Sequence, residues 1–485
     1  MKMNRREFLF SAGAVTMLSG CRSFDLFGSP ELRFGVVSDI HVTTPGSAKL
    51  FEQSLRYFRR RGVDAVMVPG DLTDWGLRSG YRYVKEAWDR VFAGTDVVPL
   101  FCTGNHDFDG WGYGDMTMEM HANGYSEDDA IMRNGGMASC WEAAFGEKYG
   151  KVRCRTVKGY DFVSGEYQGF AELADWMAAN GKRLEGAKPF FYFQHLPIQG
   201  TTSDSFGWSD GGKVKPVLAK YPNCIAFTGH EHRPFIDERS VWQGEFTAVA
   251  TPSLSYTCFP GGHENGSGPR SGKFGPDANG KMPPIQAMSM LPTRRDLRGG
   301  EGFVVNVWND KVVIERWDLE ELEEGAPAWV VPLPACVVAK PYDSAVREKT
   351  EPVPRFPEGA QLDLETRNTE NRSGKWTIVM NCEFPSAVMP EGSRVFDYEI
   401  RAVPKDGSPA LVKRFISPGY AKMAKFEPER QRFWFDVAEL PQDKDYVIEV
   451  YARNCFGKTS APLVSGVRRG KPGLEKVKPL EKKAL

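Results

Sequence analysis

Histidine is scarce in this chain, with 7 among 485 residues, so any cluster of histidines calls for a physical reason. An excess of charge of either sign is also lacking: 62 lysines and arginines face 63 aspartates and glutamates, a net charge of −1 at pH 7. That balance gives no global electrostatic footprint for nucleic acid, and no nucleic-acid partner is expected. None of the 9 cysteines stands in a CxxC pair, which argues against a zinc ribbon. The apolar stretch near the start, Phe8 to Leu18, is too short to cross a bilayer, which takes about 20 residues.

The length exceeds what one ordinary core holds, so two or more domains are expected. With 41% hydrophobic and 26% charged residues the composition is globular, and 50 glycines with 33 prolines predict many turns and long loops. Arg5-Arg6-Glu7-Phe8-Leu9 resembles a twin-arginine export signal. Leu18-Ser19-Gly20-Cys21 resembles a bacterial lipobox, in which Cys21 becomes the lipidated N-terminus. These features predict an exported lipoprotein, anchored to the membrane by its N-terminal lipid and facing the periplasm or cell surface. Export permits disulfides; Cys140 with Cys154 is the pair to test first, whereas Cys102 and Cys224 lie in apolar runs and are expected as buried thiols.

From Leu32 to about Asp318, short apolar runs alternate with amphipathic stretches. Leu32–Val37, Val63–Val68, Val97–Phe101, Phe190–Phe193 and Cys224–Phe227 read as strands buried on both faces. Ala48 to Arg61 and Tyr81 to Phe92 carry apolar residues at helical spacing. The alternation predicts an α/β domain, closed by a hairpin from Gly302–Trp308 and Lys311–Trp317 around a turn at Asn309-Asp310. An acidic, proline-rich stretch follows. Beyond it Trp376–Met380, Val395–Ile400, Arg432–Asp436 and Tyr446–Tyr451 alternate as in a β-sandwich.

Five histidines occur in short motifs, each just beyond one of the apolar runs: Asp39-Ile40-His41, Gly104-Asn105-His106-Asp107, Gln194-His195 and Gly229-His230-Glu231-His232, with Gly70-Asp71-Leu72-Thr73-Asp74 between the first two. Histidine and carboxylate hold zinc, iron or manganese. Loops beyond strand ends are where α/β sheets assemble sites. In Asp39-x-His41 and His230-x-His232 the partners are two apart, and a locally extended backbone would send both side chains from one face. Asn105 adds a neutral amide oxygen, and Gly70 and Gly104 precede donors where the chain must turn sharply.

The ordered set of five motifs resembles the calcineurin-like metallophosphoesterase superfamily over roughly three hundred residues. The resemblance implies an α/β sandwich of two central sheets flanked by helices. It implies two metal ions, iron, manganese or zinc: the first bound by Asp39, His41 and His232, the second by Asn105, His195 and His230, with Asp71 bridging. It implies hydrolysis of phosphate esters by attack of metal-bound hydroxide, with His106 assisting the leaving group and Asp74 orienting or charge-stabilising His106. Purple acid phosphatases in the superfamily have a tyrosine ligand where this chain has Asp74, which argues against a ferric–tyrosinate centre. Leu440 to Leu463 resembles the last strands of a fibronectin type III domain.

The expected organisation is a signal and tether at 1–30, the catalytic domain at 31–320, a linker at 321–358, a fibronectin type III-like sandwich at 359–466 and a basic tail at 467–485. Substrate walls are sought in Phe108–Gly150 (Trp111, Tyr113, His121, Trp141), Thr201–Gly212 (Trp208, Asp210) and Cys258–Gly302 (His263, Arg270, Arg294, Arg295, Arg298), though surface packing explains most loop residues. Two other readings stand beside a phosphatase. One is a phosphodiesterase acting on cyclic nucleotides or glycerophosphodiesters. The other is a catalytically inert surface binding protein whose C-terminal sandwich contacts a glycan or protein; eroded ligand motifs would mark it, and none is missing here.

Overall fold

The computed structural model describes residues 28–109, 136–167, 169–202, 209–257, 299–370, 376–389, 393–421 and 427–470. Cys21 and the signal motifs, Trp111, Tyr113, His121, Trp208, and the loop carrying Cys258, His263, Arg270, Arg294, Arg295 and Arg298 lie outside the described residues. Among the described residues no helix is long and apolar enough to cross a membrane.

Strands β1 (Leu32–Val36), β2 (Ala65–Pro69) and β3 (Val98–Cys102) alternate with helices α1 (Ala48–Arg61) and α2 (Arg78–Phe92). After the short helix α3 (His106–Asp109) and α4 (Gly136–Phe145) come β4 (Val152–Val157), β5 (Tyr160–Gly165), α5 (Phe170–Asn180), β6 (Phe190–Gln194), β7 (Cys224–Thr228), β8 (Val241–Gln243) and β9 (Thr247–Ala250). Then β10 (Glu301–Val307), β11 (Lys311–Asp318) and β12 (Glu323–Pro332) run consecutively. They build two six-stranded mixed sheets, ordered β12-β11-β10-β1-β2-β3 and β4-β5-β6-β7-β9-β8. The strands that carry the histidine and aspartate motifs pair in parallel within each sheet, β1 with β2 with β3 and β6 with β7.

Strand alternation explains the layering. Phe34, Met67 and Leu100 of the first sheet and Phe162, Phe191 and Phe227 of the second form one buried core between the sheets. Phe34 meets Phe162, Phe191 and Phe227 edge-on at 5.2, 4.9 and 6.0 Å between ring centroids. The alternate residues Val66, Val68 and Phe101 face outward onto Phe51, Leu55, Phe58 and Trp88 of α1 and α2. Tyr192 and Ala226 do the same beneath Leu173 and Met177 of α5. The result is an α/β domain of two mixed sheets flanked by helices, as the sequence implies.

The C-terminal region is all-β and antiparallel. It comprises β13 (Asp363–Glu370), β14 (Trp376–Pro385), β15 (Asp397–Pro404), β16 (Leu411–Ile416), β17 (Arg430–Asp436), β18 (Asp445–Arg453), β19 (Leu463–Val464) and β20 (Arg468–Arg469). One sheet runs β13-β14-β17 and the other β16-β15-β18-β19, with β20 also on β18. Phe384, Tyr398, Phe415, Phe433 and Ile448 fill the space between them. Phe396, Ile416 and Tyr420 leave this core and join the one between the sheets of the first domain.

Several expectations are corrected. The stretch 321–358 is not a plain linker: β12 pairs with β11 from Lys311↔Pro332 to Asp318↔Glu323, and residues Ser344–Thr350 form a helix. It read as a linker because β12 is an edge strand whose exposed positions take Glu, Pro and Ala. Cys140 and Cys154 are free thiols, one in the core under α1 and α2 and the other beside α5. Trp141 is buried under Arg153, whose guanidinium lies 4.4 Å above its ring, so it packs the core rather than lining a pocket. Asp210 is 2% exposed and spends its carboxylate on the backbone N–H groups of Gln199, Gly212 and Val214.

Candidate metal centre

Five strands end along one seam. Asp39 and His41 follow β1, Asp71 follows β2, Asn105 follows β3, His195 follows β6, and His230 and His232 follow β7. The first sheet therefore supplies four donors and the second three. The backbone there is not extended. Asp39, His41, Asp71, His230 and His232 have φ of 52°, 46°, 50°, 74° and 50°. Left-handed backbone at non-glycine residues costs of order 1–3 kcal/mol each and persists only where its surroundings hold it. Asp39 N–H donates to Gly70 O and His41 N–H to Asp71 O, which ties the two turns together. These turns, rather than strand alternation, aim both members of each pair inward. At Gly104 a Cβ would lie 2.1 Å from Asp71 Oδ1 and 2.5 Å from its backbone nitrogen, so only glycine admits this approach.

The seven side chains meet as two triplets joined by one carboxylate. In the first, Asp39 Oδ1 is 2.9 Å from His232 Nε2, which is 3.5 Å from His41 Nε2. In the second, Asn105 Oδ1 is 2.9 Å from His195 Nε2 and 3.0 Å from His230 Nδ1, and those nitrogens are 3.3 Å apart. Asp71 Oδ2 lies between, 3.7 Å from His41 Nε2 and 3.1 Å from His195 Nε2. All seven residues are at most 7% exposed.

The outward nitrogens fix which atoms face in. His195 Nδ1 donates to Pro69 O and His232 Nδ1 to Tyr256 O, at 3.0 and 2.9 Å. His41 Nδ1 faces Asp74 Oδ1 at 2.9 Å. Such partners present the opposite ring nitrogen as a lone pair, the arrangement of metal-bound histidine. Ring nitrogens facing each other at this range need a proton or a cation between them. Bonds of about 2.0–2.1 Å to a tetrahedral ion would separate its donors by about 3.3 Å, close to the spacings found. Asp71 Oδ2 is buried and accepts no hydrogen bond of normal geometry, which a bridging cation would remedy. Asp39, His41, Asp71 and His232 each place one donor atom within 4.8 Å of the others. The donor set fits a pair of metal ions.

Electrostatics lead to the same requirement. Burial would raise the Asp39 carboxyl, but His232, His195 and His41 hold it far below the usual carboxylate range. Against the same burial, His195, His106 and His41 lower Asp71 to about 2. Burial disfavours a charged His195, yet Asp71 and Asp39 lift it to about 9. Two buried carboxylates thus demand positive charge nearby, whether protons on imidazole or metal ions.

At the rim, His106 Nδ1 lies 3.1 Å from both Asp74 Oδ1 and Asp74 O. The Asp74 side chain is 34% exposed and that of His106 13%. The same Asp74 oxygen serves His41, a contact not foreseen from the motif. Asp107 adjoins His106 but belongs to neither donor triplet. It is fully buried, accepts from Leu72 N, Thr73 N, Thr73 Oγ1 and Gly104 N, and so locks the Asp71 and Asn105 loops together. Burial and the neighbouring Asp71 push its carboxyl up to about 6. Glu166 also bears on the site: it accepts from Thr103 N and Oγ1 and pairs with Arg153. No motif in the sequence marks it. Ser253 and Ser255 hydroxyls donate to Asp39 O.

The calcineurin-like phosphoesterase family model matches residues 32–234. No curated protein matches the chain. Among solved structures, the anchor in the inner membrane complex of Plasmodium is 15% identical, covering 62% of this chain and 88% of its own, with a TM-score of 0.32. A conserved uncharacterized protein of Streptococcus pneumoniae, described as a predicted phosphoesterase, is 12% identical over 62% of this chain and 97% of its own, at 0.28. Purple acid phosphatase from yellow lupin (Lupinus luteus) seeds is 12% identical over 62% and 53%, at 0.36.

Proposed function

From a calcineurin-like phosphoesterase domain at residues 32–234, we propose a dinuclear-metal enzyme that hydrolyses phosphate esters. The observation that carries this reading is the pair of donor triplets joined through the orphaned oxygen of Asp71. Asp39, His41 and His232 would hold one ion and Asn105, His195 and His230 the other, with Asp71 shared. When bound, such ions supply an activated water and neutralise charge on the phosphoryl group. Iron, manganese and zinc all suit a set of imidazoles, carboxylates and one amide.

The chain's own groups do the rest. Asp74 stands against His106 Nδ1. A carboxylate there stabilises the imidazolium and turns the Nε2–H toward the site, where it donates to the departing alkoxide. Asp74 also steadies His41, so one side chain couples metal binding to acid catalysis. Asp107 keeps the Asp71 and Asn105 loops in register.

Export and lipid attachment at Cys21 belong to the same proposal, supported by the Arg5-Arg6 and Leu18–Cys21 motifs. The C-terminal sandwich is read as fibronectin type III-like, supported by its three- and five-stranded antiparallel sheets. The test is metal analysis of the purified chain together with hydrolysis of aryl monoesters and diesters, measured side by side. Two bound ions and turnover that disappears on chelation are expected. Full activity after complete demetallation would refute the proposal. The ratio of diester to monoester turnover separates phosphodiesterase from phosphatase.

A further inference from the structure

A cavity of about 290 Å3 opens at the junction of the two domains, away from the metal centre. That is near the lower end of the range for small-molecule pockets. Its walls come from three places: Glu238 and Arg316 of the first domain, Arg347 and Glu351 of the connecting segment, and Arg394 at the edge of the sandwich. Trp329 closes one side and is itself buried.

Three guanidinium groups thus face two carboxylates. Glu238 is fully used: Oε1 takes Arg316 Nη1 at 2.6 Å, and Oε2 takes Arg347 Nη2 at 2.7 Å and Trp329 Nε1 at 3.0 Å. Glu351 Oε1 takes Arg347 Nε at 2.6 Å. Arg394 is held by backbone oxygens, Nη1 to Gly419 O and Nη2 to Gly325 O. Burial, with Arg316 adding like charge, brings Arg394 down to about 10 against the pull of Glu301.

Arg316 is 2% exposed and stacks over Trp329 at 4.4 Å. Its Nε donates to Pro327 O and its Nη1 to Phe235 O and Glu238, while Nη2 takes no part in these bonds. A buried guanidinium with a donor to spare, at the wall of a lined cavity, suits a planar or tetrahedral oxyanion. We propose that this junction cavity binds a small phosphate- or carboxylate-bearing anion, held by Arg316 at the wall between the two domains. The site is independent of the proposed chemistry at the metal centre. Ile236 and Glu238 line the cavity on the same segment that carries His232, so an occupant would also brace the chain leaving the metal centre.

Calorimetric titration of the full chain with inorganic phosphate and with succinate tests the proposal. Each titration is run before and after chelation, so that phosphate held by metal ions is told apart. Saturable binding of one equivalent of at least one anion that survives chelation is expected. Arg316→Met should weaken it at least tenfold. Ala328→Trp, a change at an exposed position of the cavity wall, should obstruct it to the same degree without removing an ion pair, and decides the matter if Arg316→Met does not fold. Absence of saturable binding of either anion after chelation overturns the proposal, and so does binding that Ala328→Trp leaves unchanged.

Discussion

On the proposed reading, Asp74 is the residue whose two contacts link metal binding to proton transfer. Through one oxygen it reaches His41 Nδ1 and His106 Nδ1. His106 is in neither donor triplet, so His106→Ala should keep metal content near normal and lower turnover by roughly 10²–10⁴-fold. Loss of a carboxylate that orients a liganding histidine typically costs about 10–100-fold in metal affinity. Asp74→Asn should therefore lower turnover and also release metal at lower chelator concentration than the parent. Metal analysis across a chelator series, with initial rates beside it, checks both. Equal metal retention by the two variants would sever Asp74 from His41. At this scale the sequence was informative about donor types, because histidine, carboxylate and amide at strand ends have few other uses. It was silent about Glu166, which lies in no motif and reaches the site only through the fold.

At the scale of elements, strands buried on both faces were legible and edge strands were not. β6 and β7 are wholly buried and apolar up to their last residues, Gln194 and Thr228, so their sequences could hardly be loops. β13, Asp-Leu-Glu-Thr-Arg-Asn-Thr-Glu, pairs along its whole length with β14 yet carries almost no apolar residue. β4 and β5 form a hairpin around Lys158 and Gly159, both at positive φ, with arginines on the half-buried β4. Tertiary pairing fixed these strands where local preference was weak. The left-handed turns at Asp39 and His41 were equally hidden, since neither residue is a glycine. The strand ends in turn depend on the packing behind them. Phe34→Ala empties the space among Phe162, Phe191 and Phe227 and should cost about 3–5 kcal/mol, read by denaturant unfolding. A loss under about 1 kcal/mol would mean that the two sheets do not rely on this contact.

At the scale of the whole molecule, the sandwich shares a core with the first domain. Phe396 and Tyr420 join the inter-sheet core, and Arg239 lies 4.8 Å over the Phe396 ring. Calorimetry should therefore show one unfolding transition for both domains, and two separate peaks would contradict this. Asp237 anchors Arg239 at that junction. Burial raises its carboxyl, but Arg239 outweighs burial and lowers it to about 2. Its folded pKa lies below the unfolded value of about 3.9. The stability it adds is therefore present above about pH 4 and disappears as pH falls toward 2. Asp237→Asn should flatten the fall in melting temperature over that interval, and an unaltered slope would count against the pairing.

The division of the seven donors between the sheets has a bearing on biogenesis. Neither half of the nascent domain owns a complete coordination sphere, because Asp71 and Asn105 emerge long before His195 and His230. On the proposed dinuclear reading, loading with metal would be a late event, possible only once both sheets have closed against each other. Resistance to chelators during refolding would thus arrive after burial of the aromatic core, and its arrival would time the final assembly of the domain.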